Sequence, residues 1–162
     1  MKFHSTHALV SQSDLATQVD RLEPYREYLE QIAKSNDYQE PESSICLPTD
    51  VALLAHILET AKRLHTSTLQ YLVVIGIGGS NLGTQAVYEA IAGSMNLLGD
   101  RLPKLLFLDT VTDEKMTAVT RVLEHLTSKE DFLTIVISKS GTTTESIVNM
   151  EVLMAILQEQ FG

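Results

Sequence analysis

The chain has 162 residues, 44% of them apolar, and 21 acidic against 12 basic side chains give a formal net charge of −9. This length suits one domain with a sizeable core. The negative balance argues against nonspecific nucleic-acid or anionic-membrane binding, which relies on basic patches, and no apolar run is long enough to span a bilayer. Cys46 is the sole cysteine, so no intrachain disulfide forms. The segment Met1–His7 lacks the basic and apolar regions of a signal peptide, and a reducing, cytoplasmic setting is expected.

Apolar residues at Leu15, Val19, Leu22, Leu29 and Ile32 predict a helix over 13–35, with Pro24 breaking or restarting it near Glu23. From Asn36 to Pro48 the chain is polar, holds two prolines, has no period and reads as a connector. Cys46, between Ile45 and Leu47, is expected to be packed there rather than reactive. A second helix starts at Thr49 or Asp50, with Val51, Leu54, Leu58 and Ala61 on one face and Leu53, Ile57 and Leu64 beside it.

After Leu69 short apolar runs alternate with helical patterns. Strands are predicted at 71–75, 105–108 and 132–137, and helices at about 82–93, 113–126 (capped by Thr112 or Asp113) and 143–160. That alternation implies βαβ units. The expected fold is α/β, a three-layer doubly wound parallel sheet preceded by N-terminal helices. Residues 1–68 would be a helical segment packing on an α/β domain at 69–162. The last helix is apolar over most of its circumference, which predicts that something should cover it. Both that helix and the free side of the third strand should expose apolar surface, so the chain reads as the N-terminal portion of a longer protein.

Two loops carry the chemistry. Val73-Val74-Ile75-Gly76-Ile77-Gly78-Gly79-Ser80-Asn81-Leu82-Gly83 runs from a strand through glycines into a helix, bringing unobstructed backbone amides to a helix start, where an anion can sit. Ile135-Val136-Ile137-Ser138-Lys139-Ser140-Gly141-Thr142-Thr143-Thr144-Glu145 repeats the design with hydroxyls. With strand order 2-1-3, both loops would face one crevice at the carboxyl ends of the strands. Since net charge repels an anionic ligand, amides, hydroxyls and helix dipoles must hold it. Gly78 and Gly79 would allow close approach, and Ser80 adds an amide and a hydroxyl. Ser138, Ser140, Thr142 and Thr143 add four hydroxyls, and Lys139 is expected to offer its amide more than its ammonium. Thr142 and Glu145 fit a capping box, which gives Glu145 a structural role. A dinucleotide fingerprint fails because Asn81 stands where Gly or Ala is needed, and a P-loop fails because Thr84 stands where Lys is needed.

Val74-Ile75-Gly76-Ile77-Gly78-Gly79-Ser80-x-Leu82-Gly83 and Ser138-Lys139-Ser140-Gly141-Thr142-Thr143-Thr144-Glu145 resemble the two signatures of the glucose-6-phosphate isomerase family, most closely its bacterial branch with Ser-Gly in the second loop. The resemblance implies a sugar-isomerase (SIS) type fold and interconversion of glucose 6-phosphate and fructose 6-phosphate through an enediol, without metal or cofactor. It implies that Ser138, Lys139, Ser140 and Thr143 hold the phosphate, that Thr142 supports that loop, that Gly79 and Ser80 contact the sugar, and that Gly141 belongs to the same substrate- and phosphate-binding set. The family's catalytic glutamate, histidine and lysine belong to later segments, so none is assigned here and this chain alone is expected to be inactive. The implied partners are a hexose 6-phosphate, a C-terminal domain of the same protein, and a second subunit in a homodimer or higher oligomer.

Other readings are weaker. The five histidines, His4, His7, His56, His65 and His125, are scattered and show no ligand spacing, so no metal is expected. Asp109, after the second strand, is expected to serve a turn. A non-catalytic sugar-phosphate sensor on the same fold is the alternative, and a dinucleotide-binding domain is disfavoured by Asn81.

Overall fold

The computed structural model describes residues 8–35, 37–93 and 95–162. His4 and His7 lie outside the described residues. The chain forms two compact units, Met1–Thr60 and Ala61–Gly162.

In the first unit, helix α1 spans Gln12–Ser35 and begins where Ser11 Oγ accepts the Asp14 N–H at 3.0 Å. The expected break at Pro24 does not occur, and one helix continues through it. A proline here removes one N–H, but the Asp20 carbonyl it would have served lies on an exposed stretch, open to a hydrogen bond from solvent. Arg26 pairs with both Glu23 and Glu30 across the same turns.

The expected irregular connector is instead a 3-10 helix over Pro41–Thr49. Pro41 at its first position pre-sets φ, and Ser43 Oγ accepts the Glu40 N–H at 3.1 Å. Its three-residue winding leaves no 3.6-residue hydrophobic period to detect. Tyr28 and Tyr25 on α1 donate their hydroxyls to Glu40 and Glu42 at 3.1 and 3.4 Å. Cys46 is buried with Ile32, its thiol 3.5 Å from the Ile32 carbonyl, so it packs as its neighbours imply.

Asp50 caps α2 (Val51–Leu64), accepting the Leu53 N–H at 2.8 Å. Its apolar residues fall at helical spacing, yet Val51, Leu54, Ile57 and Leu58 are all exposed.

In the second unit three strands, β1 (Tyr71–Ile75), β2 (Lys104–Leu108) and β3 (Phe132–Val136), form a parallel sheet in the order β2-β1-β3. Tyr71 pairs with Lys104 and Phe132, and Ile75 with Leu108 and Val136, so all three strands finish level at their carboxyl ends. Helix α3 (Leu82–Ala92) links β1 to β2, α4 (Asp113–Leu123) links β2 to β3, and α5 (Thr144–Phe161) follows β3.

Strand residues alternate between faces. Val73, Ile75 and Leu108 point to one side and pack with Val119 and Leu123 of α4 and Leu153 and Leu157 of α5. On the other side Tyr88 of α3 stacks near Phe107, ring centroids 6.4 Å apart, and its hydroxyl accepts the Leu105 N–H at 3.3 Å. Helices on both faces of a parallel sheet make the three-layer doubly wound α/β arrangement that the sequence predicts. Each fully buried Val, Leu or Ile adds roughly 1.5–3 kcal/mol to this core.

Thr112 caps α4 through its side chain, accepting the Lys115 N–H at 3.3 Å, and the helix stops at Leu123 rather than near 126. Gln160 closes the far end of α5 by donating to the carbonyls of Leu123 and Leu126 at 2.9 and 3.2 Å. The apolar surface expected on α5 and on β3 is present: Val152, Met154, Ile135 and Val136 are all exposed, as is Ile137 just past the strand. Among the described residues no single helix is long and apolar enough to cross a membrane.

Candidate functional site

The first loop leaves β1 at Gly76. Gly76 N–H donates to the Leu108 carbonyl at 3.1 Å, while Ile137 N–H, just past β3, donates to the Ile75 carbonyl at 2.8 Å. The two loops are therefore rooted side by side on adjacent strands. A β-carbon on Gly76 would lie 2.9 Å from Ser80 Cβ and 3.2 Å from the Ile137 carbonyl oxygen, so only glycine permits this approach.

Gly78–Ser80 forms a 3-10 turn, with Ser80 N–H donating to Ile77 and Asn81 N–H to Gly78, at 3.2 and 3.1 Å. Gly78 holds φ +57°, a left-handed value that favours glycine. Gly79 is exposed, and nothing lies within 4 Å of where its β-carbon would stand. The amides of Gly78 and Gly79 have no backbone partner among the described residues, and Ser80 is half-buried beside them. Small residues thus leave open space in front of free donors.

The second loop is braced by its own hydroxyls. Ser138 Oγ accepts the Gly141 N–H at 3.0 Å and lies 3.1 Å from Thr143 Oγ1. Ser140 Oγ accepts the Thr142 N–H at 3.2 Å and lies 2.9 Å from Thr142 Oγ1. Gly141 turns the chain at φ +72°. Lys139 is exposed, and its ammonium has no partner among the described residues.

The capping-box expectation is corrected here: the N-cap of α5 is Thr143, with no side-chain capping bond, and Glu145 falls one position too early to complete a box. The hydroxyls of Thr142 and Thr143 are engaged with Ser140 and Ser138 instead. The first main-chain bond of the helix runs from Ile147 N–H to the Thr143 carbonyl, at 3.0 Å. The amides of Thr144, Glu145 and Ser146 are left without a backbone partner among the described residues. Uncapped amides at the positive end of a helix dipole, beside four hydroxyls, suit a phosphate.

Asp109 follows Leu108, whose carbonyl accepts the Gly76 N–H. It pairs with Lys115 of α4, whose ammonium holds its carboxyl below the usual carboxylate range. The pair lines a cavity of about 340 Å³ along β2 together with Gln85, Tyr88, Glu89 and Asn96. Among the described residues no three His, Cys, Asp or Glu side chains converge as metal ligands.

One residue of the first loop escapes sequence reasoning. Asn81 is 0% exposed, and neither Oδ1 nor Nδ2 has a hydrogen-bond partner among the described residues. Leaving a buried polar group unpaired opposes folding by roughly 1–3 kcal/mol. An Asn at a helix start reads as a cap, so no local signal reveals its inward turn.

Residues 58–162 match the model of a protein family described as phosphoglucose isomerase. The glucose-6-phosphate isomerases of Staphylococcus saprophyticus and Staphylococcus epidermidis are each 36% identical to the chain over 108 residues, covering 67% of this chain and 23% of theirs. That of Staphylococcus aureus strain Newman is 35% identical over the same length and coverage. The chain therefore spans about a quarter of the length of these curated relatives. A crystal structure of a hypothetical protein from Thermus thermophilus superposes with a TM-score of 0.61 at 22% identity, covering 93% of this chain and 34% of that one. This last likeness concerns the fold alone.

Proposed function

Because the chain belongs to the phosphoglucose isomerase family, we propose that it forms the phosphate-binding part of an enzyme that interconverts glucose 6-phosphate and fructose 6-phosphate. The observation that carries this reading is the rooting of two donor-rich loops side by side, with Gly76 against the Ile137 carbonyl. Ser138, Ser140 and Thr143 would donate hydroxyl hydrogen bonds to phosphate oxygens, the Ser138–Thr143 pair giving up its mutual bond to do so. Lys139 and the free first-turn amides of α5 would balance phosphate charge. Thr142 and Gly141 would keep the loop in shape, and Gly79 and Ser80 would meet the sugar.

Isomerisation moves a proton between C1 and C2 and needs a base within hydrogen-bond reach of the substrate. In this reading the base, a glutamate, and the assisting histidine and lysine come from family segments beyond the matched region. The chain alone then binds without turning over. The reading includes a cytoplasmic homodimer or higher oligomer and no metal or cofactor.

The test is a titration of the chain with fructose 6-phosphate and with inorganic phosphate, followed by backbone amide NMR shifts. Shifts clustered at Ser138–Thr143 with both ligands, and at Gly78–Ser80 with the sugar phosphate, are expected. A folded sample with no shift at either loop would overturn the assignment, and appreciable isomerisation by the chain itself would overturn the placement of the base.

A further inference from the structure

The side chain of Asn81 breaks the local rules around it. Its main chain is engaged on both sides, N–H to the Gly78 carbonyl at 3.1 Å and carbonyl from the Gln85 N–H at 2.8 Å. Its carboxamide is fully buried and unpaired among the described residues. Asparagine is a favoured helix cap, yet here it makes no capping bond to α3. The amides of Leu82, Gly83 and Thr84, which like all first-turn amides have no backbone partner, are therefore without a cap from Asn81, and nothing lies within 4 Å of where a β-carbon on Gly83 would stand.

An apolar residue of similar shape would fill the same volume without burying unpaired polar atoms, so the fold does not need this carboxamide. Departures from local consistency fall preferentially at functional positions. Here the departure stands between the turn read as the sugar contact and the helix behind it.

Resting on the reading of the loops given above, we propose that Asn81 is a positioning residue for the sugar. Its carboxamide gains hydrogen bonds when a bound sugar shifts the Gly78–Ser80 turn against it, and its inward position keeps the first amides of α3 uncapped for that ligand. A carboxamide suits the task because it can accept from a turn N–H and donate to a turn carbonyl at once.

The experiment compares the chain with Asn81→Leu and Asn81→Ala, the second guarding against a leucine that overpacks. Each is titrated with fructose 6-phosphate and with inorganic phosphate, and the Asn81 side-chain amide resonances are followed in the unaltered chain. The expected result is a loss of about tenfold in fructose 6-phosphate affinity. Phosphate affinity should be unchanged, thermal stability of the leucine variant equal or higher, and the Asn81 side-chain resonances should shift with the sugar phosphate only. Unchanged sugar-phosphate affinity in a folded variant overturns the inference while leaving the phosphate site standing. If the unaltered chain binds neither ligand, the reading of the loops fails first and the role of Asn81 with it.

Discussion

The hydroxyls of Ser138 and Thr143 lie 3.1 Å apart, and Ser138 Oγ also accepts the Gly141 N–H at 3.0 Å. One serine therefore ties the start of the second loop to both its turn and the first cap of α5. Replacing it with alanine removes a proposed phosphate donor and unties the loop at two points. Ser138→Ala is expected to weaken phosphate binding by about tenfold to a hundredfold, the worth of one or two hydrogen bonds. Isothermal titration with inorganic phosphate checks this; an affinity equal to that of the unaltered chain would remove Ser138 from the site.

Gly76 and Gly79 are expected to respond to alanine in opposite ways. At Gly76 the new methyl meets Ser80 Cβ and the Ile137 carbonyl, so Gly76→Ala should destabilise the second unit by ~1–3 kcal/mol. At Gly79 the methyl meets nothing within 4 Å. Gly79→Ala should leave the unfolding midpoint near that of the unaltered chain while lowering affinity for fructose 6-phosphate. Urea unfolding paired with ligand titration separates the two, and equal destabilisation by both would contradict the loop geometry.

Leu153 is 0% exposed, at the centre of the cluster joining α4 and α5 to the sheet. Leu153→Ala should lower stability by ~2–5 kcal/mol, through lost burial and the cavity left behind. Denaturant unfolding measures it, and a change below the lower bound would place the true core elsewhere.

In the first unit the Tyr38 hydroxyl donates to Asp50 at 2.8 Å. The bond to Asp50 pushes the Tyr38 phenol up to about 12. The Leu53 amide first, then Tyr38, holds the Asp50 carboxyl below its usual value. A raised phenol contributes stability that is fully present below its unfolded value and lost as pH rises through about 12. A lowered carboxyl contributes stability above its unfolded value, lost as pH falls through the folded one. Ultraviolet titration of the tyrosines should therefore show a late-ionising phenol that disappears in Tyr38→Phe. If that variant retains the late phase, the Tyr38–Asp50 bond is not its source.

The strands were legible to within a residue because Leu72-Val73-Val74-Ile75 and Leu105-Leu106-Phe107-Leu108 are continuous apolar runs between turn signals, as buried parallel strands require. The paired loops also made the order β2-β1-β3 the simplest topology. Pro24 misled because its helical penalty depends on whether water can serve the freed carbonyl, which is a matter of exposure. The Thr142-Thr143-Thr144 run offers three equivalent caps, and spacing does not encode that the Thr143 hydroxyl meets Ser138 and the Thr142 hydroxyl meets Ser140 in place of capping. Asn81 shows the same limit more sharply. Its type predicts a cap, and only tertiary packing reveals an inward amide.

The close seating of Gly76 on Ile137 has a thermodynamic consequence for recognition. Bringing two mobile loops together around a ligand ordinarily consumes binding energy as lost chain entropy. Here the roots of both loops are already fixed by folding, through Gly76 to Leu108 and Ile137 to Ile75. The tips are braced as well, Gly78–Ser80 by its 3-10 bonds and Ser138–Thr143 by contacts among its hydroxyls. The entropy of bringing the loops together is thus settled when the sheet forms, and in the proposed phosphate site more of each donor's interaction with a small anion would appear as affinity.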